Sequence, residues 1–353
     1  MSSSSFRDDV SRLIPYGWTD DLADSIPPEL TPGRVTRVDR GRALVMTRVG
    51  VVSATVPDDP VVTGDWVGVQ LDEPTSIAHL VQRATVITRY DTSHEMPQPL
   101  AANMEVVLIV HGLDLSLKLR RIERALVLAW DSGARPLLVL SKIDLAREGP
   151  DGTAVALAED EFSAIAPGVD VIPVSATTGL GMDVLRSRLR SGETVAVIGE
   201  SGVGKSTLIN ALAGGAIRDT GPTRVADRRG RHTTTSRELV PLDSGVILLD
   251  TPGVRTLGVW DAADGLTAAF PDLEEAAARC RFRDCSHETE PDCGVKEAID
   301  GGALDPDRVA SYRKLEREIS RMDRRAVAGR TTRRAKQRTR RVDDWRKDWE
   351  ETR

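Results

Sequence analysis

Between residues 33 and 89 the apolar positions come in short runs broken by turn residues. The runs are Arg34–Val38, Ala43–Arg48, Val51–Val56, Asp65–Leu71 and Ala84–Thr88, and Gly41, Gly50, Pro57–Pro60 and Pro74 separate them. Five short strands in so small a space predict a small β-barrel over residues 33–90, of which the OB-fold is one kind among small all-β modules. Residues 1–32 read as a polar arm with a short helical piece, closing at Pro27-Pro28. Residues 91–104 read as a linker. Beyond it the texture changes to continuous Val/Ile/Leu runs alternating with helical patterns. The runs are Val106–Val110, Pro136–Leu140, Val169–Val174, Thr194–Ile198 and Val246–Leu249. Strands this apolar suit a parallel sheet covered on both faces. The helical patterns Leu117–Trp130, Asp183–Leu189 and Lys205–Leu212 supply the cover, so residues 100–275 predict a doubly wound α/β domain. A third unit, 276–353, opens with a cysteine cluster. Asp305-Pro306 then starts a helix, Asp as N-cap and Pro in the first turn, with an apolar seam of Val309, Tyr312, Leu315, Ile319 and Met322.

Composition limits the class. The chain has 353 residues, 40% of them hydrophobic and 29% charged, enough for more than one packed core. Its longest apolar runs are about six residues, against roughly 18–20 for a membrane span. Met1–Val10 lacks the apolar centre of a signal peptide. A soluble cytoplasmic protein without membrane attachment is expected. The net charge of −6 argues against a nucleic-acid partner until its distribution is seen. Residues 313–341 hold 13 Lys/Arg and three Asp/Glu, a net of +10, which leaves −16 on the rest. A basic end on an acidic body is the footprint of a polyanion-binding protein.

The chemistry centres on Gly199-Glu200-Ser201-Gly202-Val203-Gly204-Lys205-Ser206, a complete G-x-x-x-x-G-K-[ST]. It follows a predicted strand and opens a predicted helix at Thr207, the context a P-loop requires. Backbone amides and the helix N-terminus cradle phosphates, Lys205 reaches the outer ones, and the Ser206 hydroxyl ligates Mg²⁺. Asp250, at the end of a strand, is placed to hold Mg²⁺, and the Gly253 amide is placed for the γ-phosphate. Between the P-loop and Asp250, Asp219–Ser236 is an Arg-rich switch candidate in which Thr234 can ligate Mg²⁺ when a γ-phosphate is present. Ser141-Lys142-Ile143-Asp144-Leu145 follows another strand. A carboxylate there can accept both N1–H and N2–H of guanine, and the lysine stem can pack on the purine. Ser175-Ala176, after the next strand, can give a backbone amide to guanine O6. These guanine-reading parts precede the P-loop, so the usual GTPase order is rotated.

The rotated order, with a small barrel before it and a Cys/His cluster after it, resembles the circularly permuted ribosome-assembly GTPase family RsgA, also called YjeQ. The resemblance covers roughly residues 33–325. It implies an OB-fold, a permuted GTPase domain with motif order G4-G5-G1-G2-G3, and a zinc-binding helical module. It also implies binding of 16S rRNA and GTP hydrolysis to GDP and phosphate in late maturation of the small (30S) ribosomal subunit, stimulated by that subunit. Ser141 departs from the family, which has Asn there. Val254 occupies the place where many GTPases carry a water-orienting Gln. The resemblance points instead to His232, in Gly230-Arg-His-Thr-Thr-Thr, as the catalytic residue.

Cys280-x₄-Cys285-x-His287-x₅-Cys293 offers three thiolates and one imidazole, a closed four-ligand shell of the kind structural Zn²⁺ prefers. A disulfide reading would leave an odd thiol. His79, His94 and His111 show no partner spacing and read as surface or strand residues. A monomer is expected. A competing reading is a nucleic-acid-binding zinc protein with a nucleotide-gated clamp and little turnover. A third, an ATPase or small-molecule kinase, conflicts with the guanine-reading segments.

Overall fold

The computed structural model describes residues 10–39, 41–57, 60–91, 96–146, 153–215, 238–250 and 262–324. His232, Thr234, Gly253, His94 and the tail beyond 324 lie outside them. The first unit is a closed barrel of β1 (Thr31–Asp39), β2 (Arg42–Thr47), β3 (Gly50–Thr55), β4 (Trp66–Gln70) and β5 (Ser76–Leu80). Their order β1-β2-β3-β5-β4, closing antiparallel onto β1 with β3 and β5 parallel, is that of an OB-type barrel. Alternate residues Val35, Ala43, Val45, Ala54, Val67, Val69 and Ile77 fill its interior.

Two expectations fail here. The run Ala84–Thr88 is not the fifth barrel strand. It contributes to β6 (Val86–Asp91), which pairs with β7 (Met96–Ala102) in a separate two-stranded ribbon, so the expected linker contains a strand. Pro97 and Pro99 disguised β7, since proline argues against a central strand. In a two-stranded ribbon each strand has an outer edge, the setting in which a strand tolerates proline. The true fifth strand, Ser-Ile-Ala-His-Leu, buries only Ile77 and leaves a faint pattern. Residues 10–30 are also more than a polar arm. Leu13 and Ile26 are buried with Trp66 and Val81 in a small core, and Trp18 meets Trp66 edge-on at 5.5 Å.

The second unit is a six-stranded sheet. It is formed by β8 (Val106–Gly112), β9 (Arg135–Ser141), β10 (Val171–Pro173), β11 (Thr194–Gly199), β12 (Glu238–Pro241) and β13 (Ile247–Asp250), in the order β10-β9-β8-β11-β13-β12. All neighbours are parallel except the edge strand β12. Side chains alternate between two cores. Val107, Ile109, Leu138, Leu140, Ala196 and Ile198 face α1 (Leu119–Asp131) and α2 (Thr153–Ile165). Val106, Leu108, Val110, Val139, Val195 and Val197 face α3 (Met182–Ser187) and α4 (Lys205–Ala213).

The first of these cores continues without a break into the C-terminal helices α5 (Ala263–Ala269), α6 (Pro271–Ala277), α7 (Gly294–Asp300) and α8 (306–324). Val309, Leu315 and Ile319 of the expected seam are buried. Arg308 of α8 pins the contact. Its guanidinium donates to both carboxylate oxygens of Asp272 (2.6 and 2.7 Å), to Glu123 (3.2 Å), and to the carbonyls of Ile165 and Ala269, while stacking on Phe270 at 4.5 Å. Burial pushes the Glu123 carboxyl pKa up, and bonds from Ser311 and Arg308 oppose that shift. Such a charge is held only because it is paired.

Arg34 of β1 does the same at the other end. Completely buried, it donates to the carbonyls of Tyr16, Gly64 (3.4 Å) and Asn103 (2.8 Å) and to the Thr194 hydroxyl (2.8 Å), with Trp66 against its plane. Burial lowers its pKa to about 10, so it is cationic at neutral pH. These bonds join the N-terminal segment, barrel, ribbon and first residue of β11. Gly64, at φ 95°, lets the barrel touch the ribbon, because a Cβ there would lie 2.1 Å from the Ala102 carbonyl oxygen.

Two outcomes follow from this packing. Arg34→Leu leaves buried carbonyls unpaired at about 1–3 kcal/mol each. It should lower the urea midpoint by the equivalent of about 2–4 kcal/mol, read by tryptophan fluorescence. His111 on β8 is buried against Phe162, and its Nε2 has no hydrogen-bond partner among the described residues. Burial lowers its pKa below the ordinary 6.5. The unfolded chain then binds the proton that the folded chain refuses, so stability falls as pH drops through about 6.5. His111→Phe should flatten that dependence between about pH 5 and 7 in denaturation titrations.

Candidate functional site

Three of the sequence-predicted loops leave the same edge of the sheet, at the C-terminal ends of its parallel strands, where ligands of such sheets bind. The P-loop follows β11 and the guanine loop follows β9. The Ser175-Ala176 turn follows β10. Asp250 ends β13. Strand β11 lies between β8 and β13, at the point where the chain's path changes sides. The spatial order therefore brings together segments that the chain order separates.

The P-loop turns between Gly199 and Gly204. Gly199 has φ 149°, and a Cβ there would meet the Val110 carbonyl oxygen at 2.4 Å, so β8 and the loop touch only because the side chain is missing. Gly204 caps α4 in the left-handed region at φ 91°. The Lys205 ammonium folds back onto the carbonyls of Gly199 (2.8 Å) and Glu200. Ser206 and Thr207 sit half-buried in the first turn of α4, Ser201 and Gly202 are exposed, and Val203 is buried beneath the loop. Glu200 pairs with Arg121 and, at 3.8 Å, with Lys118, both at the start of α1.

The guanine loop lies against the P-loop. The buried Ser141 hydroxyl faces the carbonyls of Val203 (2.5 Å) and His111 (3.0 Å). Lys142, at φ 60°, passes its stem over Gly204, and its ammonium pairs with Asp114 at 2.6 Å. Asp144 and Leu145 are exposed at the mouth. Ser175 is buried and Ala176 half-buried; the Ser175 hydroxyl accepts from the Thr178 amide, and its own amide donates to Leu180, closing the turn. Asp114, Lys118 and Arg121 were not singled out from sequence. Asp114 carried a signal, since it stands just past a strand on the edge from which the P-loop and the guanine loop leave.

The Cys/His cluster lies between α6 and α7. The ligand atoms of Cys280, Cys285, His287 and Cys293 all fall within 4.8 Å of one another. The sulfurs of Cys280 and Cys293 are 3.8 Å apart, and each is 3.4 Å from the His287 Nδ1. Bonds of about 2.3 Å at tetrahedral angles put ligand sulfurs roughly 3.8 Å apart, so the shell fits a four-coordinate metal. Burial and the nearby Arg313 lower the His287 pKa and keep the imidazole neutral, the form that ligates. The Glu290 carboxylate accepts bonds from the Ser286 amide and hydroxyl and from the amides of Glu288 and Thr289, which shapes the loop; these bonds hold its pKa at about 2. Arg313 of α8 donates to the His287 carbonyl at 2.5 Å and fastens the loop to the helix.

Among the described residues, no helix is long and apolar enough to cross a membrane. Residues 80–260 match the RsgA GTPase family. A protein of Streptomyces coelicolor named small ribosomal subunit biogenesis GTPase RsgA is 46% identical over 335 residues, covering 91% of this chain and 90% of its own. One of the same name from Syntrophotalea carbinolica is 40% identical, covering 83% and 84%. The crystal structure of YjeQ from Thermotoga maritima superposes with a TM-score of 0.62 at 25% identity, over 82% of this chain and 98% of that one. That of YloQ, a circularly permuted GTPase, shares the fold with a TM-score of 0.59 at 24% identity. The family match spans half of the chain and the named relatives align over most of it, so the chain belongs to the RsgA GTPase family.

Proposed function

We infer that this chain binds and hydrolyses GTP to GDP and phosphate in late maturation of the small ribosomal subunit, binding its 16S rRNA. The observation that carries this reading is the convergence of P-loop and guanine loop on one sheet edge, in a chain whose relatives carry that name. We propose the division read from sequence: an N-terminal arm 1–32, a barrel unit 33–90 whose last barrel strand is Ser76–Leu80, a GTPase domain 100–275 and a metal module 276–353. A cytoplasmic monomer with no membrane attachment fits the same reading. The polyanion footprint of 313–341 supports contact with RNA. The nucleotide-gated clamp with little turnover is the less favoured alternative.

Nucleotide binding would draw Lys205 away from the carbonyls of Gly199 and Glu200 and turn it to the outer phosphates, while the loop amides donate hydrogen bonds to the phosphate oxygens. Asp144 takes N1–H and N2–H of guanine, and the amide of Ala176 serves O6. Ser206, Asp250 and Thr234 would hold Mg²⁺, which would supply positive charge against the phosphates. The Gly253 amide meets the γ-phosphate. His232 accepts a hydrogen bond from the attacking water and orients it, a task Val254 cannot perform. Zn²⁺ in the Cys₃His shell would cross-link the module, with every ligand position filled by protein.

Hydrolysis measured with and without purified small ribosomal subunits tests the reading, and equal turnover in both would favour the clamp. His232→Ala should abolish the stimulated turnover, by about 100-fold or more, with GTP affinity within twofold of the parent. Metal analysis of the purified chain should return one zinc per molecule. Cys280→Ser should lose it and lower the module's resistance to proteolysis.

A further inference from the structure

We propose that Ser141 is a positioning residue that ties the guanine loop to the P-loop, so that the N7 edge of the base goes unread. The inference rests on the guanine-nucleotide reading above. Ser141 is 3% exposed and lies beneath the P-loop. Its hydroxyl carries one proton and faces two carbonyl oxygens, Val203 at 2.5 Å and His111 at 3.0 Å. Once that proton is given to the backbone, the oxygen offers only lone pairs. Guanine N7 is itself an acceptor, so the two cannot bond.

Turning the hydroxyl to the base would leave the carbonyl of a fully buried P-loop residue, Val203, without this donor. An orphaned buried acceptor costs more than an exchangeable bond to a ligand returns. The neighbouring donor is committed as well. Lys142 runs along Gly204 and ends on Asp114 at 2.6 Å. The base is then distinguished on the side where Asp144 meets N1–H and N2–H, and position 141 sets the height of the loop that carries Asp144. A larger amide at 141 has two protons, one for the Val203 carbonyl and one for N7; the serine has one and uses it on the protein.

The test compares GDP with 7-deaza-GDP, in which C–H replaces N7, and with ADP, by equilibrium binding to the full chain. Melting temperatures are recorded for each variant. The parent should bind GDP and 7-deaza-GDP within about twofold of each other. Ser141→Ala should weaken both by the same factor, about five- to tenfold, and Ser141→Thr should keep the parental values. Ser141→Asn should acquire a preference for GDP over 7-deaza-GDP of about five- to tenfold, which a merely destabilised loop would not produce. The proposal is overturned if the parent already prefers GDP fivefold and Ser141→Ala erases that preference, or if Ser141→Ala changes neither affinity. ADP bound as tightly as GDP would defeat the guanine reading itself, a separate result from the deaza ratio.

Discussion

The parallel pairing of β8 with β11 is the constraint on which the site depends. Val106 to Val110 lie in register with Val195 to Gly199, and this contact fixes where the P-loop begins. It sets Gly199 against the Val110 carbonyl and brings Val203 over the end of β9. Strands β9 and β10 lie between these two in the chain, so hydrogen bonds and the two flanking cores hold them together. A parallel sheet tolerates this, because its loops meet at one edge whatever order the strands are visited in.

The outer units are fastened by a different device. Two guanidinium groups, Arg34 and Arg308, are withdrawn from water and satisfied by acceptors drawn from separate segments. Apolar contacts tolerate small slips, whereas a planar fork with fixed donors does not. Each arginine therefore specifies one docking geometry. At the C-terminal end the fastening continues outward, since Arg124 of α1 pairs with Glu318 of α8. The metal loop hangs on the same helix through Arg313.

Much of this was legible in the sequence. The P-loop, the guanine loop and the cysteine spacing are local patterns, and the structure brings Ser141 against Val203 and gathers the four Cys/His ligand atoms within 4.8 Å of one another. The parallel strands were legible because their burial on both faces leaves unbroken apolar runs. The ribbon was not, because Pro97 and Pro99 contradict a strand everywhere except at an edge, and edges are a property of the sheet. Leu13 and Trp18 looked like stray apolar residues in a polar arm, and their partners Trp66 and Val81 lie far along the chain. Arg34 and Arg308 were invisible as buried groups, since a lone arginine reads as surface until its acceptors are known. The Asp114–Lys142 pair escaped notice for the same reason.

The Arg34 cluster also bears on how such a protein can be taken apart and recombined. Its acceptors come from Tyr16, Gly64, Asn103 and Thr194, four stretches on both sides of any boundary one would draw between barrel and GTPase domain. A barrel exchanged with that of a distant relative would arrive with a cation shaped for acceptors the new host does not present. A GTPase domain expressed without its barrel would expose a row of acceptors built to face a charge. The small barrel is therefore inherited with its neighbour as a matched pair, and gene fusion or shuffling at residue 100 would have to carry position 34 and its acceptors together.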